Sequence, residues 1–177
     1  MAKSHVIPDR LYIAIGQAVT MWPLVEDQIF NLFLHTLTGG RATPWSEAKV
    51  YHAAYYSIQS QNAQLDVLNA AFKTRFEADK SMLSEWRSLY REVKKNRTIR
   101  NNVAHYTNLN YERDPVTKEP LHVLTPSLGR IPLDGHVPSE KIITMEDLEE
   151  IPYHLGELLL RLQEFTVKVI RHTPRSS

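Results

Sequence analysis

The stretch Thr144–Val169, TMEDLEEIPYHLGELLLRLQEFTVKV, decides the fold. Leu148, Ile151, Leu155, Leu158, Leu162, Phe165 and Val169 recur in it at intervals of three and four. That is the spacing of one face of an α-helix. Thr144 is a good N-cap, and Asp147 three residues on makes a variant of the capping box. Ile143 and Leu148 hold the positions of a hydrophobic staple. The acids between Glu146 and Glu157 oppose the positive end of the helix dipole, so this run reads as a solvated face. Pro152 is expected to bend the helix early. A stripe this continuous must be buried against other helices.

Those helices lie upstream. The first is expected from about Asp9 to Leu37, with Ile15, Val19, Trp22, Ile29, Phe33 and Leu37 as its apolar row and a gap at Glu26. Gly39-Gly40 ends it. Pro23 lacks an N–H and its ring presses on the carbonyl of Val19, so a kink or break is expected there. A short helix follows from about Pro44 to Tyr56, with Tyr51, Tyr55 and Tyr56 packing one face. A third carries Ile58, Leu65, Leu68, Phe72 and Phe76. The fourth, from about Ser81 to Ala104, is expected to bury Leu83, Trp86, Tyr90 and Val93, with Leu89 beside them. From Tyr106 to Lys141, five prolines and two glycines mark an irregular insertion, with Leu121-His122-Val123-Leu124 suited to a small β-hairpin and Asp134-Gly135 to a turn. Thr173–Ser177 reads as a frayed tail. The expected fold class is all-α, an antiparallel bundle of four to five helices with one irregular insertion, forming a single domain over 1–177.

Composition narrows the chemistry. The 177 residues suffice for one core, and there is no cysteine. Thiolate nucleophiles, disulfides and sulfur-bound zinc are excluded, and a reducing, cytoplasmic setting is expected. No apolar run resembles a signal peptide or a membrane span. The net charge is +1, yet Arg87, Arg91, Lys94, Lys95, Arg97 and Arg100 face only Glu92 between positions 87 and 100. A local basic face attracts phosphate even on a nearly neutral protein.

That basic run ends in Arg100-Asn101-Asn102-Val103-Ala104-His105. An imidazole moves protons near neutral pH, and a guanidinium grips phosphate with two hydrogen bonds. In a chain of this composition, chance gives roughly 0.5 Arg-x-x-x-x-His pairs, but roughly 0.02 once Asn must follow the Arg. On one helix, Arg100 and His105 stand about 7.5 Å apart in rise and about 140° apart in turn. One phosphate is therefore shared only if the helix unwinds at His105 or a second copy completes the site. Arg97, Asn101 and His105 form a row at spacings of four, so Asn101 can orient either neighbour. Glu26, inside an apolar row, needs a partner, and Arg97 or Arg100 is the candidate; its role reads as structural or orienting.

Arg100-Asn101-x-x-x-His105, near the end of a late helix in a small helical bundle, resembles the HEPN superfamily. The Trp22–Glu26 stretch is similar to a looser feature of some bacterial members. The likeness covers the helical frame, roughly Asp9 to Arg171, and the 106–141 insertion is an addition to it. The resemblance implies a homodimeric, metal-independent endoribonuclease, a toxin or defence effector under an antitoxin or nucleotide regulator. It implies catalysis by Arg100, His105 and Asn101, with 2′-hydroxyl attack at a site shared by two protomers. Lys94, Lys95 and Arg97 would draw in the RNA backbone. The alternative is a module of the same family that binds a protein partner or a nucleotide without catalysis. No cofactor and no metal is expected: the histidines are scattered, and Glu119-x-x-His122 contains Pro120 and lies in the insertion.

Overall fold

The computed structural model describes residues 9–106, 108–113, 120–125 and 143–172. The helices are α1 (Asp9–Thr38), α2 (Trp45–Tyr56), α3 (Gln61–Arg75), α4 (Lys80–His105) and α5 (Met145–Arg171). Between α4 and α5 lies a small antiparallel sheet, β1 (Asn108–Arg113), β2 (Pro120–Thr125) and β3 (Ile143–Thr144). Asn108 pairs with Thr125 and Arg113 with Pro120, while Leu124 pairs with Ile143. The chain thus belongs to the helical-bundle class, and the expected hairpin falls where the Leu121–Leu124 run suggests. The N-terminal segment 1–8, the Asp134-Gly135 turn and the tail 173–177 lie outside the described residues. No described helix is long and apolar enough to cross a membrane.

Packing divides the chain into two compact units, residues 1–22 with 95–156 and residues 23–94 with 157–177. Neither is one continuous stretch, because α1, α4 and α5 each contribute to both.

In α1 the buried stripe is Leu11, Ala14, Ala18, Trp22, Val25, Ile29, Leu32 and Phe33. The expected row was rotated: Ile15 and Val19 are half-buried, and Leu37 is exposed. Alanines carry the early core positions, which a search for large apolar residues overlooks. The helix runs unbroken through Pro23. In α4, Met82, Trp86, Leu89 and Val93 are buried, while Leu83 and Tyr90 stand at the edge. Ile58 precedes α3 and is half-buried. Along α5 the seven expected positions from Leu148 to Val169 are all buried, and the helix continues through Pro152.

Unit 23–94/157–177 is built around rings. Phe72 stacks on Phe76 with centroids 4.3 Å apart, and Trp86 and Phe165 lie 5.2 and 5.4 Å from Phe72. A second group joins Phe30 and Phe33 to Tyr55, which is buried, with the His52 ring against Phe30 and Tyr56.

The helix ends show how local chemistry sets the boundaries. α1 stops at Gly39 and Gly40, whose φ angles of 72° and 76° suit glycine. The Gly40 N–H donates to the His35 carbonyl, and Arg75 Nη1 donates to the carbonyls of His35 and Thr36 at 2.6 and 2.7 Å. These bonds satisfy carbonyls that the helix end leaves open. At the start of α4, Asp79 accepts from the Met82 N–H at 3.0 Å, which is the leading reason its carboxyl is held below the usual aspartate range. The expected capping box of α5 forms: Asp147 N donates to Thr144 Oγ1 at 3.2 Å, and Thr144 N donates back to Asp147 Oδ2 at 2.9 Å. Thr144→Ala removes one of these bonds and should cost about 1 kcal/mol in a denaturant titration.

His35 gives a pH dependence. Burial first, and then the Arg75 charge, push its pKa below the ordinary 6.5. The folded state therefore favours the neutral ring. Its contribution to stability is complete above pH 6.5 and is lost as pH falls from there through the lowered folded value. Melting temperatures of the parent and His35→Gln should converge on acidification from pH 8 to 5. An unchanged gap between the two across that range would count against this account.

Candidate functional site

The buried face of α4 changes character along its length. Leu89 and Val93 continue into Asn96 and Arg97, both buried, then half-buried Arg100, then buried Val103. Cations thus take positions at the three-and-four spacing of the core face.

Arg97 is 6% exposed. A contact with an RNA phosphate needs an accessible guanidinium, so the backbone-binding role expected of Arg97 does not fit its position. Lys94 sits in the other unit, 3.4 Å from Asp66 with its ammonium 4.7 Å over the Tyr90 ring. Hydrogen bonding to Tyr90, and then to Asp66, holds its pKa above the ordinary lysine value. Lys95 is exposed.

Arg100 Nη1 donates to the Asn101 Oδ1 at 3.1 Å. Its Nε is buried and has no hydrogen-bond partner. A buried N–H in that state costs about 1–3 kcal/mol. His105 is exposed and is the last residue of α4. The Tyr106 N–H donates to the Asn102 carbonyl at 2.8 Å, so the α-helical pattern persists past the motif. Of the two ways to bring Arg100 and His105 to one phosphate, local unwinding is therefore absent. The helix keeps Arg100 toward the core and His105 toward solvent, as about 140° of turn requires.

Glu26 is half-buried and its carboxylate accepts a hydrogen bond from Gln61 Nε2. Sequence reasoning did not find Gln61, since a glutamine at a helix start gives no periodic signal. The described histidines are dispersed: His154 lies 3.6 Å from Glu150 and His172 lies 3.2 Å from Asp79. Among the described residues no group of three or more His, Asp or Glu is placed to hold a metal. The basic run also divides: Arg87 and Arg91 do not serve the motif but line a groove between α3 and α4.

Comparisons with family models, curated proteins and solved structures find no match to this chain.

Proposed function

We propose that the chain is a metal-independent endoribonuclease of the HEPN type, acting as a homodimer on RNA, with Arg100, Asn101 and His105 as its catalytic set. The observation that carries this reading is the state of the motif on α4. A half-buried guanidinium is oriented by the adjacent amide, and an exposed imidazole lies about 1.4 turns on. Because the helix stays intact through His105, the reading requires a second copy beside this helix end, and a two-fold axis there supplies one.

The chemistry follows from the side chains. His105 of one copy takes the proton from a ribose 2′-hydroxyl. The 2′-oxygen attacks phosphorus and the bond to the 5′-oxygen breaks. His105 of the other copy, in its protonated form, donates to that departing oxygen. Arg100 stabilises the charge gathered on the phosphoryl oxygens, and Asn101 holds Arg100 in place. The products are a 2′,3′-cyclic phosphate and a 5′-hydroxyl end. An activity of this kind, in a toxin or defence effector, calls for a restraining partner such as an antitoxin.

The test is incubation of purified protein with RNA in EDTA. Cleavage with cyclic-phosphate ends supports the reading. The second reading, a binding module without catalysis, is favoured by one observation: of the three cations expected to bind RNA, Arg97 is buried and Lys94 is paired with Asp66. Binding without cutting would support it instead.

A further inference from the structure

A groove of about 560 Å³ lies between α3 and α4, wholly inside unit 23–94/157–177. That is the volume of a small-molecule site. Leu83 and Trp86 line its apolar part, and Lys73, Arg87 and Arg91 border it together with Glu77. The polar groups of the aromatic side are already committed. The Trp86 N–H donates to Asn69 Oδ1 at 3.1 Å, and the Tyr90 hydroxyl donates to Asp66 Oδ1 at 2.5 Å.

The cations are not committed. Among the described residues, no hydrogen bond or ion pair engages Lys73, Arg87 or Arg91. Four other cations of the same unit are taken: Lys94 by Asp66, Arg161 by Glu92, Lys168 by Glu85 and Arg75 by helix-end carbonyls. Arg87 and Arg91 stand four apart on α4, so their side chains start about 5–6 Å from each other and can grip one anion together. With Lys73 they bring three positive charges against the one negative charge of Glu77. The balance matches a doubly charged phosphomonoester, and paired guanidiniums suit phosphate geometry.

We propose that this groove binds an aromatic phosphomonoester of about mononucleotide size. The ring lies toward half-buried Leu83, above the buried Trp86, and the phosphate lies among Arg87, Arg91 and Lys73. The site is independent of the motif at the end of α4 and does not rest on the ribonuclease reading.

Calorimetric titration of the full chain tests it, with four probes: adenosine 5′-monophosphate, 1-naphthyl phosphate, adenosine and inorganic phosphate. Both phosphomonoesters should bind with Kd below about 1 mM, and the two fragments about tenfold or more weakly. Tighter binding of the nucleotide assigns the ligand to that class, and equal binding assigns it to ring-bearing phosphomonoesters generally. Arg91→Ala should weaken binding about tenfold. Glu77→Gln should strengthen it several-fold, a gain that misfolding could not produce. His105→Ala should leave binding unchanged. The assignment is overturned if neither phosphomonoester binds at 5 mM, if Arg87→Ala and Arg91→Ala leave affinity unaltered, or if His105→Ala abolishes binding.

Discussion

His105→Ala should lower RNA cleavage by roughly 10²- to 10⁴-fold, the range for removal of a general acid–base group. The ring is exposed, and no hydrogen bond or ion pair among the described residues engages it. Its loss should therefore shift stability by no more than about 0.5 kcal/mol. The two readouts together make the test sharp: activity measured in EDTA should collapse while the thermal melt stays put. Arg100→Lys is the companion variant. It keeps the charge but loses the planar fork and the geometry of the bond to Asn101 Oδ1. It should cut about 10²-fold more slowly, in line with loss of a transition-state donor. If His105→Ala cleaves at the parent rate, the ribonuclease reading fails, whatever the dimer looks like.

The second large effect concerns the core. Phe165 is completely buried, and its ring lies 5.4 Å from Phe72 and 6.2 Å from Trp86. Phe165→Ala should cost about 3–5 kcal/mol, because neighbouring rings cannot collapse into the space that is left. A domain is stable by about 5–15 kcal/mol in total, so this one change should consume much of the margin. Urea titration should show a lower midpoint with an unchanged slope if the folded and unfolded states keep their extents. A shift below about 1 kcal/mol would mean that the four-ring cluster is not what holds this unit together. Phe165→Leu, which keeps more volume, should fall between the two.

Much of this was legible in the residues themselves, for reasons that differ by element. α5 could be read whole because its stripe is made of large side chains and its cap is a matched Thr144–Asp147 pair. α1 was read in the right place but rotated. Small residues at Ala14 and Ala18 fill its early core positions, and periodicity weighted by size passes over them. The burial of Arg97 was invisible for a related reason. A basic residue within a basic run looks solvated, and only the three-dimensional face shows that it continues the line of Leu89 and Val93. Arg100, Asn101 and His105 were legible as a spacing, and their contrast in exposure follows from helix geometry alone. The groove between α3 and α4 was not legible. Lys73 and Arg91 are eighteen positions apart, and nothing in a linear reading brings them to one cleft.

Thr144 belongs to two structures at once. It is the final residue of β3, paired with Val123, and it is also the residue whose hydroxyl opens α5. No spacer separates the edge of the sheet from the first turn of the helix, so the junction has no slack. One extra residue at that seam would spin everything downstream by about 100° and swing the row from Leu148 to Val169 out toward water. At this joint the register is locked, and the sheet acts as the index mark against which the apolar stripe of α5 is set.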